Sequence, residues 1–366
     1  GQGQSRTAMM GTLPAGAMKA IAAPRSLPTD DSGCLLDLEL PRPQAENRDL
    51  LVRVEAVAVN PVDTKVRASL TGNGPPRVLG WDAAGVVEAI GAQVSRFRVG
   101  DPVCFAGDIS RPGCNAEYVL VDERISGRKP GNLSFAEAAA LPLTSLTAWE
   151  ALFERLAANP PSLDRLGDGG GVGGGGDGRS LLILGGAGGV GSIAIQLARL
   201  SGLEVIASAS RPESQAWLRQ LGADHVVDHG RPLPEQLAAI GHGQVDLIAN
   251  FFDTDRYWAV MAELIRPLGS IVAIVGNRQP LDLNLLRNKS VRFAWEYMFS
   301  RSLYATPDLE RQGAILERVA DLVEAGQLRS TLQRTLSPIN ATRLRQAHAE
   351  LESGRMIGKL VLAGWP

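Results

Sequence analysis

Between residues 18 and about 140, short apolar runs alternate with polar positions, as in LLVRVEAVAVN (50–60), AAGVVEAIG, VGDPVCFAG and AEYVLVDE. Alternation with a β-branched bias sends successive side chains to opposite faces of a strand, and strands this short and close predict a small barrel-like β domain. Near residue 134 the pattern changes. Ser134 and Glu137 form a capping-box signature ahead of the alanine-rich FAEAAAL. From about 180 to 300, strands and helices alternate. SLLILGG reads as a buried strand, VGSIAIQLARL as a helix, EVIASAS as a strand, PESQAWLRQLG as a helix and HVVDH as a short strand. VDLIANFF, YWAVMAELIRPLG and SIVAIVG continue the series. This pattern predicts βαβ units feeding a parallel sheet. After residue 300 come two amphipathic helices, DLERQGAILERVADLVEAG ended by Gly326 and INATRLRQAHAELESG ended by Gly354, and a last strand, MIGKLVLAG.

Length and charge narrow the classes. A chain of 366 residues has room for two domains, and 45% apolar with 21% charged residues is ordinary globular composition. A net charge of −2 gives no reason to expect nucleic acid or an anionic membrane as a partner. No apolar run approaches the roughly 18 to 20 residues that span a bilayer. The opening GQGQSRTAMMGTLPAGA lacks the apolar stretch of a secretory signal and reads as a tag or loose arm, residues 1–17. Cys34, Cys104 and Cys114 are scattered, which argues against a disulfide framework and a four-cysteine zinc lobe and fits a reducing cytoplasm.

LLILGGAGGVG (181–191) places Gly186, Gly188 and Gly191 in GxGxxG spacing between a buried strand and an apolar helix. That context makes it a dinucleotide turn: the first glycine for the tight turn, the second for approach of the pyrophosphate, the third for helix–strand packing. Gly189 and Val190 open the helix whose N-terminus faces the phosphates. The richer run GDGGGVGGGGDG (167–178) has no preceding strand and reads as a flexible loop. The second strand ends at Ser208, Ser210 and Arg211 with no acid to hold a ribose 2′-hydroxyl. Small hydroxyls and a guanidinium suit a 2′-phosphate, so the expected cofactor is NADPH. Arg211 as a solvated turn residue is the alternative. His225 and His229, about 13 Å apart along a strand at 3.3 Å per residue, do not suggest a metal site, and no other metal site is expected.

Taken together, the β domain, the AGGVG sheet and the GKLVL tail resemble the medium-chain dehydrogenase/reductase superfamily. VNPVDTKVR (59–67) resembles its zinc-free quinone oxidoreductase branch. GWDAAGVV, AALPLTSLTAWEAL, ASRPES, WEYMFSRSL and ESGRMIGKLVL look like a subgroup often labelled zinc-binding alcohol dehydrogenase family. The resemblance implies an α/β fold: a Rossmann-type doubly wound parallel sheet (144–300) plus a discontinuous β-rich GroES-like domain (18–143 and 301–366). Zinc enzymes of this superfamily hold the catalytic ion with Cys, His and Cys. Motif alignment puts Asn60, Trp81 and Leu143 at those positions, and that set is no zinc site.

Without zinc to lower the hydroxyl pKa, and without a Tyr-x-x-x-Lys base, ordinary alcohols are poor substrates. Quinones and conjugated enones need only an aligned hydride, a hydrogen-bond donor and a proton. The expected function is therefore NADPH-dependent, metal-independent hydride transfer to a quinone or enone. A zinc alcohol dehydrogenase and a non-catalytic NADPH-binding protein are the alternatives. The resemblance assigns site roles. Asn60 donates its amide to substrate or nicotinamide, or else caps a loop. Asp63 orients the site, partnered by Lys65 or Arg67. Trp81 forms an apolar wall or plain core. Thr147, Asn250, Phe252, Gly276 and Lys359 lie near the nicotinamide, although a solvated Lys359 is equally compatible with the sequence. SVRFAWEYMF (290–299) implies an edge strand that pairs between subunits of a homodimer.

Overall fold

A computed structural model describes residues 16–161 and 176–366. Most of the expected N-terminal arm, and the glycine-rich run up to residue 175, lie outside the described residues. Ala17, which the sequence places in that arm, belongs to the strand Ala17–Ala23.

Six parallel strands form the dinucleotide sheet. Their spatial order is His225–Val227, Glu204–Ser208, Ser180–Leu184, Val245–Asn250, Ile265–Ala273, Arg292–Trp295. Ser180–Leu184 is buried throughout, which explains its unbroken apolar reading: helices cover both faces of such a sheet. Chain order reverses on either side of this strand. The crevice at the carboxyl ends of Ser180–Leu184 and Val245–Asn250 is therefore the place where such sheets take ligands.

The β-rich part is organised on Asp49–Ala58, which pairs antiparallel with Ala83–Ile90, Tyr118–Asp122 and the final strand Lys359–Ala363. The chain thus returns to its own beginning. The helix Arg311–Glu324 lies against Ser126–Arg128, where Arg128 meets Glu317, Asp321 and Glu324. Ser134 caps the short helix Phe135–Ala139: its hydroxyl accepts the Glu137 N–H at 3.1 Å, and Glu137 accepts the Ser134 N–H at 3.0 Å. The architecture is a Rossmann sheet plus a separate GroES-like domain, as the sequence pattern and its resemblance implied.

Candidate active site

Strand register assembles the centre of the site. The pairs Ala363↔Ala56, Leu362↔Val57 and Val361↔Ala58, carried two residues further, bring Lys359 alongside Asn60. The pair Ala83↔Val57 brings Asp82 to the same corner, and the Ala58 N–H donates to the Asp82 carbonyl at 3.0 Å. All three side chains are buried. The Lys359 ammonium donates to Asn60 Oδ1 at 2.5 Å and to the Val59 carbonyl at 3.1 Å, and lies 3.2 Å from Asp82 Oδ2. Asn60 Nδ2 donates to Asp82 Oδ2 at 3.0 Å, and the Leu143 N–H donates to Asp82 Oδ1 at 3.1 Å. Every proton of the ammonium thus has an acceptor. Burial pushes the Asp82 carboxyl pKa up, against the pull of Lys359, the Asn60 amide and the Leu143 N–H.

Asn60 also begins the helix Pro61–Ser69, with Pro61 at its first position. Its N–H donates to Asp63 Oδ2 at 3.1 Å. Arg67 does not partner Asp63: it turns to His348 and Glu352 on the helix Ala341–Glu352. Lys65 lines the cavity rim and has no ion-pair partner among the described residues. Asp63 is fully buried with Oδ1 unpaired, and burial raises its pKa to about 7. A carboxyl whose folded pKa lies above its unfolded one stabilises the fold at low pH, and that contribution is lost as pH rises from about 4 through about 7. Asp63→Asn is therefore expected to flatten the fall in unfolding free energy between pH 4 and 8. The gain at pH 8 is on the order of 2 to 4 kcal/mol, at 1.36 kcal/mol per unit. Urea titrations of both proteins across that range test this, and parallel pH profiles would sink it.

Beside this corner opens a cavity of about 640 Å³. Its walls include Asn60, Leu143, Thr144, Thr147, Phe251, Phe252, Met298, Phe299 and Lys359, and its floor is the glycine turn 185–191, apart from Gly186 and Ala187. The turn differs in detail from the sequence reading. Gly185, not Gly186, carries the left-handed conformation, φ +81°. Gly186 instead allows packing: a Cβ there would lie 2.9 Å from Leu218. Gly188 precedes the helix Gly189–Leu200 and would have no atom closer than 3.9 Å to an added Cβ, so its surface is open to a ligand. At Gly189 a Cβ would lie 3.0 Å from the Lys359 stem and from Thr144. The helix N-terminus, its free N–H groups and the open Gly188 fit the pyrophosphate of a dinucleotide.

The remaining expected residues divide. Thr147 and Phe252 line the cavity. Trp81 does not: it is 1% exposed, donates to the Asp108 carbonyl at 3.3 Å and packs edge-on behind Phe299. Asn250 does not line it either. Its amide oxygen accepts the Phe252 and Asp253 N–H groups, and its Nδ2 donates to the Asp253 carbonyl, so it shapes the turn that presents Phe252. Gly276 is exposed beyond the strand end, and Ile274 and Val275 line the cavity in its place. Ser208 is buried. Its hydroxyl serves the Gly185 N–H at 3.1 Å and His229 Nδ1 at 2.8 Å, so it braces the turn from behind. Ser210 is exposed, and Arg211 pairs with Glu213 at 2.8 Å and donates to the Arg355 carbonyl. Lys359 is not solvated. Sequence reading gave no role to Asp82, Thr144 or the Met298–Phe299 wall, although each lies in a stretch that carries the resemblance, GWDAAGVV, AALPLTSLTAWEAL or WEYMFSRSL.

Residues 46–146 match the family model of the alcohol dehydrogenase GroES-like domain, and residues 221–362 match that of the zinc-binding dehydrogenases. A zinc-type alcohol dehydrogenase-like protein of Staphylococcus epidermidis is 41% identical over 346 residues, spanning 94% of this chain and 99% of that protein. The 2-methylene-furan-3-one reductase of Solanum lycopersicum is 31% identical, over 87% of this chain and 73% of its own. A solved structure from Rhizobium etli, named for zinc-dependent alcohol dehydrogenases, is 49% identical with a TM-score of 0.88, covering 96% of this chain and 99% of that one. Quinone oxidoreductases are also among the solved structures that share the fold. The chain belongs to the medium-chain dehydrogenase/reductase superfamily. It is an oxidoreductase of that superfamily with a Rossmann domain for a nicotinamide cofactor.

The zinc in two of those names does not fit the residues here. At the corner where the resemblance places the metal ligands stand an amide already held by Lys359 and Asp82, an indole turned to Asp108, and a leucine. Cys104 is buried among other groups and its thiol is pushed up to about 12; burial also raises Cys114. Among the described residues, neither belongs to a cluster of groups that could hold an ion.

Proposed function

We propose that the protein is an NADPH-dependent, metal-independent reductase that delivers hydride to a conjugated enone or a quinone. The observation that carries this reading is the buried Asn60–Asp82–Lys359 triad, a fixed and fully hydrogen-bonded cation at the corner where zinc relatives bind their ion. The triad offers no open coordination position. Alcohol oxidation also needs a base for the hydroxyl proton; among the described residues no histidine lines the cavity, and the carboxylate that does, Glu296, is paired with Arg155 at 3.2 Å. Conjugated acceptors need neither, because charge spreads onto an oxygen that a hydrogen-bond donor can hold.

When bound, NADPH supplies the hydride. The chain's own residues do the rest. The open backbone at Gly188 and the N–H groups of Gly189, Val190 and Gly191 bind the pyrophosphate. Thr147 gives its hydroxyl proton to the Leu143 carbonyl at 2.8 Å, so its oxygen lone pairs accept from the carboxamide. The second proton of Asn60 Nδ2, the amide being oriented by Lys359, is the donor for the acceptor oxygen. Phe251, Phe252, Met298 and Phe299 exclude water from the reacting atoms. Ser210 and Arg211 take the 2′-phosphate, with Arg211 leaving the exposed Glu213. The 2-methylene-furan-3-one reductase among the relatives supports a conjugated carbonyl as substrate. The outer strand Arg292–Trp295, with Trp295, Tyr297 and Tyr304 exposed, supports a homodimer, which a monomeric mass by light scattering would overturn.

The test is NADPH oxidation against enones, quinones, aldehydes and alcohols, with NADH in parallel and with a zinc chelator. Turnover is expected with the conjugated acceptors, unchanged by the chelator. Arg211→Ala is expected to raise the NADPH KM about tenfold, a loss of about 1.4 kcal/mol, and to leave NADH kinetics unchanged. Chelator-sensitive alcohol oxidation would overturn the reading.

A further inference from the structure

At the end of the parallel sheet away from the cofactor turn, three separate segments converge. Glu204 opens the strand Glu204–Ser208, His225 opens His225–Val227, and His242 lies in the loop before Val245–Asn250. The Nε2 of His225 lies 3.0 Å from Glu204 Oε1, and the Nε2 of His242 lies 2.9 Å from the same oxygen. Along a strand, His225 and His229 stand too far apart to share an ion. The structure sends His229 to the other end of the strand, where it stacks on Phe252 at 4.7 Å.

We infer that Glu204, His225 and His242 form a binding site for one divalent transition ion of the zinc class, separate from the reductase site. The three ligand atoms lie within 4.8 Å of one another. Tetrahedral zinc, with nitrogen and oxygen ligands at about 2.0 to 2.1 Å, keeps its ligands roughly 3.4 Å apart. Admitting the ion therefore takes an opening of about half an ångström between each imidazole and the carboxylate and a closing of the two imidazoles toward each other by up to about 1.4 Å, small rotations for partly exposed side chains. Two imidazoles and one carboxylate are a zinc donor set, and they are borderline in softness as zinc prefers. Their side chains are 38%, 33% and 19% exposed for Glu204, His225 and His242, which leaves an open face for a water as fourth ligand. Binding requires each Nε2 to give up its proton, so each ring shifts to the Nδ1–H form, and no redox step is involved.

The ion would tie two strand starts and the loop entering a third. It would also give the purified protein a zinc content that says nothing about the Asn60 corner. The test uses the full chain, stripped with a chelator and titrated with zinc chloride against a chromophoric zinc indicator. One equivalent is expected to bind the wild type with a Kd of about 10 µM or tighter, about 7 kcal/mol. His225→Ala/His242→Ala is expected to weaken binding at least about 100-fold, and the single loop variant His242→Gln at least about tenfold. Zinc is expected to raise the melting temperature of the wild type and not that of the double variant. NADPH binding by the metal-free variants, followed by fluorescence, reports whether they are folded. Absence of stoichiometric binding to the wild type, or equal binding by a folded His242→Gln, overturns the inference.

Discussion

Lys359→Met is expected to destabilise the fold by about 3 to 5 kcal/mol, the usual cost of removing one partner from a buried ion pair. Methionine keeps most of the stem that packs beneath Gly189, so lost packing is a minor part of the effect. What is lost is the charge. Asp82 stays fully buried, with only Asn60 Nδ2 and the Leu143 N–H to hold it. Burial already raises its pKa, and Lys359 is the largest opposing influence, so removing the lysine raises it further. A carboxyl raised in the folded state stabilises the fold below its unfolded pKa, and that contribution is lost as pH rises through the folded one. The deficit of Lys359→Met is therefore expected to shrink toward pH 4. Adding Asp82→Asn should restore most of the stability, because no unpaired charge remains, yet leave kcat/KM low. Asn60 loses the ammonium that sets its amide, and displacements on the scale of 1 Å cost about 10²-fold in rate. Urea titrations and NADPH-linked turnover measure both quantities. A single variant within about 1 kcal/mol of wild type would show that the ammonium does not hold this corner.

Periodicity disclosed the elements and the glycine turn because those signals are local. The continuous apolar run of Ser180–Leu184 needs helices on both faces, and the small residues after it need a ligand or a close neighbour. The triad was not legible in the same way. Asn60 and Lys359 are 299 residues apart and meet only through antiparallel register. Asp82 gains no role from the sequence beside the conspicuous Trp81, although the aspartate reaches the site and the tryptophan stands behind Phe299. Ser208 sat at the right position for a ribose contact, but its buried hydroxyl is already spent on Gly185 and His229. Spacing along the strand rightly separated His225 from His229, but it could not show that Glu204 and His242, from other segments, are the neighbours of His225. The glycine-rich run 167–178, read as a flexible loop, falls mostly outside the described residues.

Two alanine substitutions in one turn should separate folding from cofactor binding. A Cβ at Gly191 would lie 2.4 Å from the Gly185 carbonyl oxygen and 2.7 Å from Gly186 Cα, both backbone atoms of the turn itself. No side-chain rotamer relieves that overlap, so the helix must move off the strand. Gly191→Ala is expected to cost about 3 kcal/mol of stability, the upper end for overpacking, and to abolish NADPH binding. At Gly188 the nearest atom to an added Cβ is 3.9 Å away and the backbone is extended, so the fold has room for it. The only folded-state cost is alanine at a helix start, about 1 kcal/mol or less. Its methyl nonetheless enters the cavity floor where a pyrophosphate would meet the backbone. Gly188→Ala is expected to remain folded and bind NADPH at least about tenfold more weakly, or about 1.4 kcal/mol. Denaturant titration without cofactor reads the first effect, and NADPH fluorescence reads the second. If Gly188→Ala binds NADPH like the wild type, the phosphates lie elsewhere and the hydride geometry built on this turn falls with them.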